Sequence, residues 1–266
     1  TQADLEGVAR TLRQTTRARL TGLGLPAAGG AIPESFSYYD QVLDALVAVG
    51  AIPERFRGID GSPLERYFAL ARGDRDRQPL EMTKWFDTNY HFSVPEIDAD
   101  TPFTANAETL TALVAEARED GIESRPVLVG PVTFLLLAKP ADGAPEGFRP
   151  IDRLDELVPV YAELLRELVA AGASWVQLDE PFEHLGFELP ACIEVSLHLI
   201  RGHPLHFGHQ GREVVVGAHR TLLSGIAAQQ DVPSRTGHAP LPWLRENLVR
   251  PARHNRTMTT WHNIAD

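Results

Sequence analysis

The stretch RLDELVPVYAELLRELVAAGASWVQLDEP, residues 153–181, decides the fold class. Leu154, Leu157, Val158, Tyr161, Leu164, Leu165, Leu168 and Val169 recur at helical spacing and make one apolar face. Asp152 stands where an N-cap belongs, with Asp155 three positions on, and Gly172 is a natural helix stop. Trp175 to Leu178 then reads as a buried strand. It ends in Asp179-Glu180-Pro181, polar groups at a strand's C-terminal end. Helix, glycine, buried strand and polar end is the rhythm of a parallel α/β protein.

The same rhythm appears upstream. Residues 4–20 have helical composition. AIPESFSYYD (31–40) reads as a short strand running into a helix lined by Val42, Leu43, Leu46, Val47 and Val49, with Gly50 as its stop. LERYFALARG is a helical piece, and MTKWF (82–86) is a candidate strand. Asn106 is placed to cap a helix carrying Leu110, Leu113, Val114 and Ala117, which Gly121 ends. PVLVG (126–130) reads as a fully buried strand. Chemistry in such folds sits at the C-terminal ends of strands, where both polar clusters, after Trp85 and after Leu178, are expected. The absence of GxGxxG and GxxxxGK[ST] removes the usual nucleotide signatures of open doubly wound sheets and favours a (β/α) TIM-type barrel.

The bulk properties bound the function. The chain has 266 residues and a formal net charge of −11, which argues against nucleic acid or an anionic membrane as a partner. Phe134 to Ala138, an apolar run that no other exceeds, is far too short to cross a bilayer. The first twenty residues carry charges throughout and lack the apolar core of a secretory signal. The single cysteine, Cys192, fits a reducing cytoplasm. Composition changes near residue 190. Residues 191–266 form an atypical tail rich in His and Arg, in which apolar periodicity fades apart from a strand-like VVVG at 214–217. An out-of-frame translation of a GC-rich gene would give such a tail, and a single-base shift near codon 190 of the nucleotide sequence would then restore α/β periodicity.

Chemistry concentrates in LEMTKWFDTNYHFSVPEI, residues 80–97. Trp85, Phe86, Tyr90, His91 and Phe92 crowd around Lys84, one of only two lysines. An aromatic wall with one cation in an acidic protein suits an anionic ligand, although a lone lysine beside Trp85 more often snorkels over the ring. Asp87 and His91 are candidate pocket residues. A lone His near aromatics is more often a satisfied packing residue. Asp179 and Glu180 are adjacent on a strand and so point to opposite faces, one toward the mouth of the fold and one toward a neighbouring helix. His203, His206 and His209 have metal-like spacing, but Pro204 and Gly208 break any helix that would align them.

Five segments resemble the N-terminal domain of cobalamin-independent methionine synthase. They are FSYYDQVLDALVAVGAIPERF (36–56), RYFALARG (66–73), PLEMTKWFDTNYHFSVPEI (79–97), VLVGPVTFLLLAK (127–139) and WVQLDEP (175–181), in the family's order. The resemblance covers residues 1–190 and not the tail. It implies a pair of face-to-face (β/α)₈ barrels, the C-terminal one holding zinc and homocysteine, the N-terminal one helping to hold a methylfolate with its polyglutamate tail. It implies a methyltransferase of methionine biosynthesis that needs no cobalamin. It assigns a folate contact to Lys84, with Asn89 a weaker candidate by proximity.

Three departures from the family pattern stand out. A first strand with a basic folate-binding segment should precede Thr1. Later strands of the N-terminal barrel are missing or replaced by the tail, leaving residues 1–190 as an incomplete barrel. The zinc-bearing barrel is absent, and Cys192 alone supplies no zinc site, so a separate catalytic half is implied. A folate-polyglutamate-binding module without activity, or a non-functional gene fragment, is the alternative. A related barrel decarboxylase acting on an acidic tetrapyrrole is a further one, against which MTKWFDTNYH argues.

Overall fold

The helix at 154–171 shows how the sequence builds its layers. In the computed structural model, which describes residues 1–85 and 88–180, it buries Leu157, Val158, Tyr161, Ala162, Leu164, Leu165 and Leu168 along one side. Gly172 ends it in the left-handed region at φ 103°, its N–H reaching the carbonyls of Leu168 and Val169. The beginning differs from expectation. The chain enters through a 3-10 turn, Pro150–Arg153, and the N-cap is Arg153 with no side-chain cap bond. Asp152 is taken by the guanidinium of Arg149, which donates to both of its oxygens.

Six helices and seven strands are described. The helices are α1 (Gln2–Gly22), α2 (Gln41–Ala48), α3 (Pro63–Arg72), α4 (Glu108–Glu119), α5 (Pro131–Leu137) and α6 (Leu154–Ala171). Strands β1 (Ile32–Glu34), β5 (Ser124–Val129) and β7 (Gln177–Asp179) form a parallel sheet in the order β1-β5-β7. Glu34, the end of β1, lies opposite Pro126 in the middle of β5, and Val129 lies opposite Asp179, so the three strands point the same way and β5 and β7 end together. Strands β4 (Glu96–Ile97) and β6 (Lys139–Pro140) make a second, parallel pair. The fold is mixed α/β with a parallel sheet and helices. Among the described residues the sheet does not close into a barrel.

The MTKWF segment is a strand, but not a strand of the parallel sheet. β2 (Met82–Lys84) pairs antiparallel with β3 (His91–Ser93), the next part of its own motif. Trp85 N–H donates to the carbonyl of Tyr90 at 2.8 Å, and Thr88 Oγ1 donates to the carbonyl of Trp85 at 2.6 Å. The polar cluster after Trp85 is therefore the turn of a ribbon rather than the end of a parallel strand. Three residues are too few for periodicity to separate these cases. Asn106 is likewise displaced as a cap: α4 has Ala107 at its N-cap, and Asn106 Oδ1 stands 3.4 Å from Glu108 N.

The main core gathers Leu43 and Leu46 of α2, Phe92 of β3, Phe134 and Leu135 of α5, and the buried face of α6. A smaller cluster holds Ile32, Ala117 and Ile122. α1 packs with arginines inward. Arg13 forks onto Glu116, and Arg17, 2% exposed, reaches Glu34, Glu116 and Asp120. The tail features, VVVG at 214–217, the HxxHxxH histidines and Cys192, lie outside the described residues.

Candidate functional site

Helix α2 begins seven residues after β1 ends. Asp40 caps it, with Oδ1 accepting the N–H of Leu43 at 2.7 Å. The other oxygen of the same carboxylate, Oδ2, accepts the N–H of Ser93 in β3 at 3.0 Å. Asp40 is buried. Burial pushes its pKa up, and the bonds from Leu43 and Ser93 work against that shift. A second tie lies beside it: Gln41 N–H donates to the Tyr90 hydroxyl at 3.0 Å. The ribbon that carries Lys84 is thus fastened to the first turn of α2.

The ribbon has two faces. Phe92 is fully buried against the core, and Trp85 packs edge-on to Phe92 and Tyr90 with centroids 6.0 and 6.1 Å away. Lys84 and His91 are cross-strand partners, so they share a face. Lys84 is half-buried and His91 exposed. His91 Nδ1 stands 2.9 Å from the carbonyl of Asn89. A carbonyl only accepts, so this nitrogen carries the proton and Nε2 is the acceptor of the neutral ring. Asn89 is exposed and meets His91 through its backbone. Asp87 lies outside the described residues.

The two lysines differ. Lys139 Nζ is 2.9 Å from Glu81 and 3.6 Å from Glu96, and Glu96 also pairs with Arg55. Among the described residues, no ion pair engages Lys84.

The carboxylates after β7 divide as their alternation requires. Asp179 ends the strand, and its Oδ1 accepts from Gln177 Nε2 at 2.7 Å. Glu180 turns the other way onto α5, its Oε1 accepting from Val132 N at 3.0 Å and Oε2 from Thr133 N at 2.7 Å. Glu180 is therefore a helix cap. Gly130 is needed for its approach, because a Cβ there would stand 2.2 Å from Glu180 Oε1.

Sequence reasoning overlooked a polar cluster behind the ribbon. The Tyr67 hydroxyl, from α3, donates to Asp44 Oδ1 at 2.7 Å, and Ser37 Oγ lies 3.4 Å from that hydroxyl. Burial raises the Asp44 pKa to about 7, with the neighbouring Asp40 charge adding to the rise and the hydroxyls of Ser37 and Tyr67 opposing it. The signal was present for Asp40, an aspartate immediately before an apolar helical run. Nothing in the sequence marks Asp44 and Tyr67 as neighbours.

Among the described residues, no three His, Cys, Asp or Glu side chains are arranged to hold a metal. The described donor set does not fit a zinc centre of thiolates and imidazoles. No helix among the described residues is long and apolar enough to cross a membrane.

The sequence is similar to that of known proteins. A family described as "Cobalamin-independent synthase, N-terminal domain" matches residues 1–191. A 5-methyltetrahydropteroyltriglutamate–homocysteine methyltransferase of Mycolicibacterium paratuberculosis is 54% identical over 259 residues, covering 93% of this chain and 33% of that protein. The protein of the same name from Streptomyces coelicolor is 55% identical over 180 residues, 67% of this chain and 23% of its own length. That from Mycobacterium tuberculosis is 52% identical over 254 residues, 91% of this chain and 32% of its own. The chain spans a third or less of the length of these relatives. The specific 79–97 motif falls inside the matched region and forms the ribbon around Lys84, and through this N-terminal domain the chain belongs to the cobalamin-independent methionine synthase family.

Proposed function

We propose that this chain is the folate-binding half of a methyltransferase that passes a methyl group from 5-methyltetrahydropteroyltri-L-glutamate to L-homocysteine, giving L-methionine. Lys84 meets a carboxylate of the polyglutamate tail. The observation that carries this reading is the contrast between the lysines: Lys139 is neutralised by Glu81 and Glu96, while Lys84 has no ion pair among the described residues. A carboxylate at ~4 Å from its ammonium is worth roughly 4 kcal/mol at an effective dielectric near 20, before desolvation is subtracted. Asn89 and His91, on the same ribbon, line the approach, with Asp179 at the end of its strand. The role is orientation of the methyl donor, a proximity effect. Activation of the thiol belongs to a separate catalytic half.

Two statements of organisation and one of location go with this reading. The parallel sheet is a segment of a (β/α) barrel, incomplete within residues 1–190. Residues 191–266, outside the described residues, are read as a separate segment. The chain works in the cytoplasm on a small-molecule substrate.

Titration with the folate triglutamate tests the site. Lys84→Ala should weaken binding, and the loss should shrink with the monoglutamate. Equal triglutamate affinity in parent and variant removes Lys84 from the site. The second reading, a binding module without turnover, fits a chain whose described residues offer no metal-holding cluster. Binding without methionine formation by the chain alone supports it, and turnover lost on chelation overturns it.

A further inference from the structure

We propose that Asp40 is the positioning residue for Lys84, holding the lysine's ribbon at a set place on helix α2. This rests on the reading of Lys84 as a ligand contact.

The ribbon is small. Three residue pairs hold it together: Met82 with Ser93, Thr83 with Phe92, and Lys84 with His91. A two-stranded ribbon of this size is marginal alone and takes its place from what it is tied to. One carboxylate makes the tie at its open end. Asp40 gives Oδ1 to Leu43 N of α2 and Oδ2 to Ser93 N of β3, at 2.7 and 3.0 Å, in a setting that is 1% exposed. The Tyr90 hydroxyl, accepting from Gln41 N, ties the turn end to the neighbouring residue of the same helix. Lys84 lies between these two fastenings.

Only a carboxylate serves both N–H groups from this position. Asparagine would point its own NH2 at one of the two donors. Serine caps the helix well, but its single short hydroxyl leaves Ser93 N without an acceptor. An ordinary N-cap needs one oxygen, so the use of the second is what marks Asp40 as more than a cap.

The variants Asp40→Ser and Asp40→Asn, each alone and combined with Lys84→Ala in the 266-residue chain, test the proposal. Two readouts are taken: affinity for the folate triglutamate, and amide hydrogen exchange across residues 82–93. Asp40→Ser should keep α2 protected, speed exchange in the ribbon, and weaken the triglutamate by about tenfold, the scale of 1.4 kcal/mol. The double variant should bind no worse than Lys84→Ala alone, because a misplaced lysine and a missing one lose the same contact. Asp40→Asn should show the same pattern. Additive losses overturn the proposal, and so does unchanged ribbon exchange in both variants. If Lys84→Ala alone leaves affinity unchanged, the ligand reading fails, and ribbon exchange then decides whether Asp40 sets the ribbon's place.

Discussion

The Tyr67 hydroxyl donates a 2.7 Å hydrogen bond to Asp44 Oδ1, joining α3 to the first turn of α2. The acceptor stands in a crowded acidic setting, with Asp40 nearby and Ser37 beside the tyrosine. Burial, helped by the Asp40 charge, lifts the Asp44 pKa from 3.8 to about 7. The folded chain therefore holds a proton that the unfolded chain has released between those values. The stability this group contributes is complete below pH 3.8 and is lost as pH rises through about 7. Asp44→Asn, which keeps an acceptor for Tyr67, should remove that component. Urea midpoints measured from pH 5 to pH 8 should fall less in the variant than in the parent. Discounted for the partial exposure of Asp44, the difference is on the order of 2 kcal/mol at the alkaline end. Parallel pH profiles would place the titration elsewhere.

Arg17 is the densest point of the network under α1. Its guanidinium meets Glu34, Glu116 and Asp120 at 2.6, 3.0 and 2.7 Å. Glu34 is buried as deeply as many core side chains, and burial raises its pKa while Arg17 holds it down. Arg17→Ala strands that carboxylate, which should cost about 3–5 kcal/mol. Arg17→Met with Glu34→Leu should recover most of the loss, because the stranded charge leaves with its partner. Urea denaturation of the single and double variants checks both. A double variant as weak as Arg17→Ala would mean that packing, not charge, sets the cost.

The elements whose apolar face is long were legible. α6 and its Gly172 stop follow from spacing alone, as does β5 at the buried run before Gly130. Short elements were legible as existing but not as placed. Met82–Lys84 reads as a strand in any register, and only the return of the chain at Tyr90 makes it an antiparallel ribbon. Caps failed where a competing partner won: Asp152 looks like an N-cap in sequence and belongs to Arg149 in space. Inward arginines on α1 run against the apolar-face rule. Their partners, Glu34 and Glu116, lie outside the helix, Glu116 about a hundred residues on, so local spacing could not reveal them. The 79–97 motif contains Lys84 and Tyr90, while the ties of its ribbon to α2, Asp40 to Ser93 and Tyr90 to Gln41, became visible only in the structure.

Lys84 should act as a charge more than as a shape. Its attraction for a carboxylate tail is screened once the Debye length falls from about 10 Å at 0.1 M salt to about 3 Å at 1 M. Triglutamate affinity of the parent should therefore fall with salt more steeply than that of Lys84→Ala. Isothermal titration at several salt concentrations reads the two slopes. Identical slopes would mean that the lysine makes no electrostatic contribution.

Gly130 and Glu180 should behave as one unit. Gly130 has φ −76° and ψ 162°, a backbone any residue adopts, so the demand for glycine is steric and not conformational. An added Cβ would meet Glu180 Oε1 at 2.2 Å. Gly130→Ala must push the carboxylate off the N–H groups of Val132 and Thr133 or shift α5, at a cost of about 1–3 kcal/mol. Glu180→Ala removes the same two charge-assisted bonds directly, about 1.5–3 kcal/mol for a bond of that kind. If the alanine at 130 acts through the carboxylate, the double variant should lose little more than Glu180→Ala alone, since no oxygen remains to be displaced. The unfolding free energies of the two single variants and the double one give the coupling directly. Losses that simply add would show that the Cβ strains something other than Glu180.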